Sequence, residues 1–524
     1  MAVPPFQPAV PQRVRALAVD VVRLARRPMV TDAVVGMLIA VALPLAIVSI
    51  PNTISQVAAL LPPGVSQIDM MRAHGLALPV MLLTVPLAAV AVRRFKAAPV
   101  LVLGLAMLAT ADAGGGYADG PALVGVLRVM HGVGAGLLIP ATLVAAGERR
   151  ARRGLLALWA GMLAVSLVTA QALALWPIDN VRSWAVTLQP FPLLTGIALS
   201  LAAVYLVLWR MAWETTAAST DRLLISSPPG SAERSRLLMA AVPSAGIAVL
   251  AVGTTYDWPS GLVVAVAGLA LVAMLGLAVS AATPGARTLG FTCVAVGLVV
   301  LPTAAQVTYV EMPWLGGPGL EAMAWPLAVA VIGALGAAAV AGRAAEEKSA
   351  KLVGAGLVVL VVGLCAIRLL VPTVDGLLLA VPFTLVAAGA AVALVSALRL
   401  AGPVAALFGL TLLFPAMLAG FLLGTGIQVT WLRSAATSGM ATYQGMVDGF
   451  VEALHVWALV GGFGVVLVLG LSALSGRRGA RVAAEVPVAE EPEDEPEDGP
   501  EALTDGDEST GKLPSDSHEA FTKE

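Results

Sequence analysis

Charge is scarce in this chain of 524 residues. Only 12% of its residues are charged, about half the quarter that soluble domains carry, which excludes a water-soluble globular fold for most of its length. Cysteine is almost missing. Cys293 and Cys365 both fall inside apolar runs, so a disulfide framework is excluded and each reads as a small buried hydrophobe. There is no metal-spaced His/Cys cluster, no Ser–His or Cys–His constellation and no phosphate loop. No connection is long enough for a folded extramembrane module; the longest outer one, about Arg433 to Glu452, has some 20 residues. These absences argue against an enzyme, and nothing points to nucleic acid, a metal or an organic cofactor. What remains is grease: 58% of residues are hydrophobic, and apolar stretches of about 18 or more residues recur throughout, as in a polytopic membrane protein. The first follows some 30 non-apolar residues, too long a flank for a secretory signal, and reads as a retained span.

Fourteen spans are predicted, at roughly 33–50, 73–92, 98–113, 122–146, 154–176, 188–209, 237–255, 261–282, 288–310, 322–341, 352–370, 376–398, 403–432 and 453–475. Each must be helical, because lipid offers no partner to unpaired backbone groups. Lysine and arginine set the orientation. In the loops and N-terminus 24 cations fall on one side, and four (Arg72, Arg182, Arg368 and Arg433) on the other. That asymmetry predicts an even span number with both termini in the cytoplasm, in the cell membrane. Trp176, Trp184, Trp258, Trp314, Trp325, Trp431 and Trp457 fall near outer ends, with Trp209 and Trp213 near an inner end, as an interfacial belt. Gln12 to Arg27 reads as a basic amphipathic helix on the inner leaflet. From Glu485 onward 15 acidic residues face 2 basic ones, so the tail reads as disordered and is a candidate site for a basic cytoplasmic partner.

One span carries a charge. Arg128 lies about a third of the way into the run Ala122–Ala146, where insertion costs about 2.5–3.5 kcal/mol. Such an arginine either lines the transport path or holds helices together through backbone carbonyls. His131 follows on nearly the same face; its imidazole titrates near neutral pH, so it is a proton carrier or a neutral hydrogen-bonding group, with Arg128 as a repelling neighbour. Gly132 and Gly136 form a small-residue face suited to close helix packing. Asp112, Asp257, Glu311, Glu321 and Asp375 sit near outer ends and read as loop acids in water. Asn52, Gln171 and Gln306 are the remaining polar candidates for a cavity wall. An interior this poor in charge suits a hydrophobic or amphipathic small-molecule substrate.

The order of features resembles the major facilitator superfamily, and within it the fourteen-span drug:proton antiporter branch. Arg128, the stretch His131-Gly132-Val133-Gly134-Ala135-Gly136 and Pro140 are similar to the family's fourth-span motif. Glu148-Arg149-Arg150-Ala151-Arg152-Arg153 with Trp159-Ala160-Gly161, then Trp184 with Pro190-Phe191-Pro192, resemble the approaches to its fifth and sixth spans. Gly449-Phe450-Val451-Glu452-Ala453-Leu454 resembles a lead into the last span. The resemblance implies two six-helix bundles with two helices between them. It divides the chain into a cytoplasmic N-terminus (1–31), a first bundle (32–210), a linker with two extra spans (211–287), a second bundle (288–476) and the tail (477–524). It further implies a secondary transporter, here an exporter, with coupling to a proton gradient left open.

Three departures stand beside it. In the gate loop after the second span, Arg93 occupies the family's Asp position, Lys96 its Gly position and Ala97-Ala98 its Arg pair, leaving Arg93, Arg94 and Lys96 as gate candidates. Ser166–Gln171 replaces the antiporter's Gly-Pro-x-x-Gly-Gly, and Val35 replaces its first-span Asp. These losses favour a rival reading: a transporter-derived scaffold or sensor that no longer transports and uses its acidic tail to bind a partner.

Overall fold

The computed structural model describes residues 28–178, 183–215, 230–256, 258–437 and 442–485. The amphipathic segment expected at 12–27, Asp257 and the acidic tail from 486 lie outside them. Every regular element among the described residues is helical. Fourteen helices are long and apolar enough to cross a membrane, and this is a multi-pass membrane protein. They are α1 (Pro28–Val48), α2 (Gln67–Phe95), α3 (Ala97–Gly115), α4 (Pro121–Gly147), α5 (Arg152–Ile178), α6 (Trp184–Met211) and α7 (Glu233–Tyr256). The remainder are α8 (Ser260–Val279), α9 (Pro284–Val310), α10 (Leu320–Arg343), α11 (Glu346–Leu370), α12 (Leu377–Gly402), α13 (Val404–Arg433) and α14 (Tyr443–Leu474).

The second, twelfth and thirteenth spans depart from a plain rod. The second opens with a short helix, Gln67–His74, whose first turn is capped by Ser66 accepting from the Asp69 amide; a break at Gly75 precedes the apolar helix Ala77–Phe95. The twelfth and thirteenth form one continuous helical stretch, Ala380–Thr437, interrupted at Gly402. There φ is +76°, a left-handed conformation that glycine adopts without a Cβ clash. The connection before the last span, expected to run about 20 residues from Arg433 to Glu452, is far shorter, since helix continues to Thr437 and resumes at Tyr443. These extensions are polar, and hydropathy does not register them; the Gln444–Asp448 side-chain bond at 2.9 Å is one support for the extra turn.

Helices α1–α6 pack on one another, as do α9–α13. Contact in lipid depends on small residues that let backbones approach. A Cβ at Gly136 would sit 2.6 Å from the Thr84 Cβ on α2, and one at Gly134 would sit 2.8 Å from the Gly104 carbonyl oxygen on α3. The fourth span thus wedges between two neighbours. Helix α5 crosses to the other half, touching α9 and α10. Helices α7 and α8 are not detached: α7 lies against α2 and the α12–α13 stretch, and α8 against α9 and that stretch. In the last turn of α2, Arg93 is buried and ion-paired with Glu233 in the first turn of α7.

Two groups read as surface residues are interior. Trp184 and Trp457 are buried, the latter donating its indole N–H to Thr303 Oγ1 at 2.9 Å, while Trp176, Trp258, Trp314, Trp325 and Trp431 are exposed as a belt requires. Asp112 and Glu311 are also buried, not loop acids in water. Glu311 accepts from the Thr373 amide (2.9 Å) and hydroxyl (2.7 Å), pinning the end of α9 to the loop before α12. Glu321 and Asp375 are exposed.

Candidate functional site

The site forms among α1–α6, where α1 ends. A helix carboxyl terminus leaves carbonyls without intrahelical partners and carries the negative end of the helix dipole. Pro51 then follows and supplies no N–H. The short helix Gln67–His74 ends beside it in the same way. Arg128 fills this gap from α4. Its Nε donates to the His74 carbonyl at 2.9 Å, and one terminal nitrogen donates to the Ile50 and Pro51 carbonyls at 2.8 and 3.3 Å. The guanidinium therefore joins two helix carboxyl ends from the side of a third helix, with its side chain 2% exposed. Charge-assisted bonds of about 1.5–3 kcal/mol each are of the size needed to offset its burial. Asn52 stitches the same two segments, donating to the Met71 carbonyl at 2.9 Å and accepting from the Ile54 amide at 3.3 Å. A small apolar cluster of Ile54, Met70, Val124, Leu127 and Trp184 packs around the join.

One turn further along α4, His131 meets Asp112 of α3. The imidazole Nε2–H donates to Oδ1 at 2.9 Å, and Thr195 of α6 donates its hydroxyl to Oδ2 at 2.6 Å. All three side chains are buried. The carboxylate has one donor on each oxygen, and Arg128 lies close enough for its charge to act on it without touching it. With His131 neutral, Arg128 and Asp112 balance. One added proton leaves a net positive charge that the dry surroundings do not screen. A small cleft reaches the pair, lined by Leu45, Ser49, Asp112, His131, Phe191 and Thr195. The arrangement links α3, α4 and α6.

Gln171 and Gln306 lie elsewhere: Gln171 of α5 beside Tyr309 of α9, and Gln306 of α9 against Gly424 of α13. Both are buried, with Gln171 Nε2 and Gln306 Oε1 unpartnered among the described residues. Tyr309, one turn beyond Gln306, lies beside Ser55, Gln56 and Gln171. The polar candidates thus separate into an Arg128–Asn52 join with its His131 neighbour, and two buried glutamines away from it. The gate residues separate too: Arg93 is paired inward with Glu233, and Arg94 is exposed, its guanidinium over the Phe95 ring. Lys96 adopts a positive φ of 71° at the junction of α2 and α3.

Sequence reasoning read Asp112 as a loop acid in water and passed over Thr195 and His74. Asp112 lies near the end of an apolar span, where a carboxylate has no cheap place except beside a donor, but the sequence does not say which donor. Thr195 carried no such signal. The His74 ring is buried as well, but at the very start of the span predicted over 73–92 it carried no signal of its own.

No family model matches this sequence, and no curated protein matches it. Among solved structures, the chain is similar to the E. coli major facilitator superfamily proton:xylose symporter XylE, with a TM-score of 0.48 and 15% identity over 83% of this chain and 94% of that one. It is similar to the human organic anion transporter MFSD10 (TETRAN), at 0.47 and 14% over 83% and 99%. It is also similar to a bacterial homologue of the human lysosomal transporter Spinster, at 0.47 and 14% over 86% and 98%.

Proposed function

We propose that this chain is a secondary transporter of the major facilitator type. It carries a hydrophobic or amphipathic small molecule out across the cell membrane, with both termini in the cytoplasm, and the His131–Asp112 pair binds the coupling proton. The observation that carries this reading is the buried His131–Asp112–Thr195 chain, which joins three spans at 2.9 and 2.6 Å. Ionisable groups at such depth are costly and belong to ion or proton pathways. The fourth-span motif around Arg128 and the fourteen apolar helices support the same assignment. Gln171 Nε2 and Gln306 Oε1, buried and without a partner among the described residues, are polar atoms that a mostly apolar substrate would meet.

The test is efflux of lipophilic dyes from proteoliposomes with and without a pH gradient. The gradient drives transport in the native protein. Asp112→Asn abolishes gradient-driven efflux and leaves exchange of substrate across the membrane intact. Equal transport with and without the gradient would remove proton coupling, and full activity of Asp112→Asn would remove this pair from it. One observation favours the non-transporting scaffold: Arg93, standing where the family has its gate Asp, is tied to α7 through Glu233. That reading predicts no transport of any substrate and capture of a basic partner by the acidic tail.

A further inference from the structure

Away from this site, a cavity of about 500 Å³ opens where the inner ends of α5, α10 and α12 meet. Three arginines from three helices line it: Arg153, Arg343 and Arg399. No carboxylate lines it, and among the described residues no acid pairs with any of the three. Arg399 is half-buried and held by donating to the Ala341 carbonyl at 2.7 Å; Arg153 and Arg343 are exposed. Gly154 in the first turn of α5 also lines it, and a helix amino terminus adds positive potential. Below the arginines the wall turns apolar, with Leu158, Leu335 and Ala338.

We propose that this cavity binds the phosphate headgroup of an anionic phospholipid of the inner leaflet. All three arginines belong to the set that the charge asymmetry places at the cytoplasmic surface, the depth of that headgroup. Basic pockets between span ends on this side suit such lipids, and guanidinium matches phosphate with paired donors. The apolar wall distinguishes a lipid from free phosphate, because it gives the acyl chains a surface that an inorganic anion does not use. Since α5 belongs to one half and α10 and α12 to the other, a bound headgroup would tie the halves together at their inner ends and relieve repulsion among the three cations.

The test titrates the full-length protein in neutral detergent with fluorescent phosphatidylglycerol, using phosphatidylcholine of the same chains and inorganic phosphate as competitors. Saturable binding of phosphatidylglycerol, resisted by neither competitor, is expected. Each arginine near the charged headgroup is worth about fivefold in affinity, so Arg153→Gln with Arg343→Gln weakens binding by about 25-fold, and Arg433→Gln on the outer side leaves it unchanged. Both replaced residues are exposed, so the Arg399–Ala341 bond remains. Native mass spectrometry of the unaltered protein, comparing retained phosphatidylglycerol with phosphatidylcholine, tests the preference without any variant. Equal retention of the two lipids, full competition by phosphate alone, or undiminished binding by the double variant would each overturn the proposal.

Discussion

Arg128→Lys keeps the charge and destroys the join. The guanidinium fork reaches three carbonyls belonging to two helix ends, at 2.8, 2.9 and 3.3 Å. An ammonium on a shorter stem reaches one of them, and lysine does not substitute for arginine at a forked site. Two charge-assisted bonds are lost at about 1.5–3 kcal/mol each, or about 3–6 kcal/mol together, while the burial cost of the charge is still paid. Arg128→Met orphans all three carbonyls, one bond of about 1.5–3 kcal/mol more than lysine loses, but removes the burial cost of about 2.5–3.5 kcal/mol, which is the larger of the two. The neutral variant is therefore the more stable of the two, and both lie below the native protein. Thermal melts in detergent, followed by labelling of Cys293, read this ordering directly. Cys293 is 3% exposed and reacts only on unfolding, and Cys365, which is exposed, is first changed to alanine. A lysine variant that melts with the native protein would refute the argument, because charge alone would then hold the site and the fork would be irrelevant.

Other perturbations test neighbouring parts of the fold. Gly132→Ala drives a methyl onto the Ala77 carbonyl and to 2.9 Å from the Val80 Cβ, so it costs about 1–3 kcal/mol by overpacking; a melt equal to the native one would contradict the close crossing of α4 and α2. Glu233→Lys sets like charges together at the foot of α7 and lowers the melting temperature. Its cost lies between the roughly 1 kcal/mol of a surface pair and the about 3–5 of a buried one, and exchanging the two residues restores it; failure of the exchange would mean the pair is incidental. Burial raises the Glu311 carboxyl above its ordinary range, against the two Thr373 bonds that favour its ionised form. The folded state thus prefers the protonated acid. That contribution is full below the unfolded pKa and is lost as pH rises through the raised one. Melting temperature falls with pH across that window in the native protein and more weakly in Glu311→Gln; identical slopes between about pH 4 and 8 would exclude Glu311 as the cause.

Much of this protein is legible in its sequence, because lipid is an unforgiving solvent. A run of apolar residues crossing it has only the helix available, so fourteen spans follow from hydropathy alone. Arg128 and His131 were visible for the same reason: a charge in such a run is an exception that requires a partner. The Gly132–Gly136 face announced close packing, and the crossing with α2 supplies it. Partners were not legible. Asp112 and Glu311 lie near span ends, where hydropathy does not separate a wet loop from a buried turn. The helical extensions beside Thr437 and Tyr443 are polar and escape it too.

The sequence by itself determined the number of helices and the residues too costly to leave unpartnered, since both follow from transfer between water and hydrocarbon. Only the tertiary structure decided which atoms meet those residues. Arg128 takes three carbonyls at the ends of two helices, His131 takes Asp112 with Thr195 behind it, and Arg93 takes Glu233. The last two join residues 19 and 140 positions apart, and such pairings depend on which helices pack side by side. Hydropathy is a property of one segment, whereas helix packing in lipid depends on shape and hydrogen bonding between segments, and no single segment carries that information.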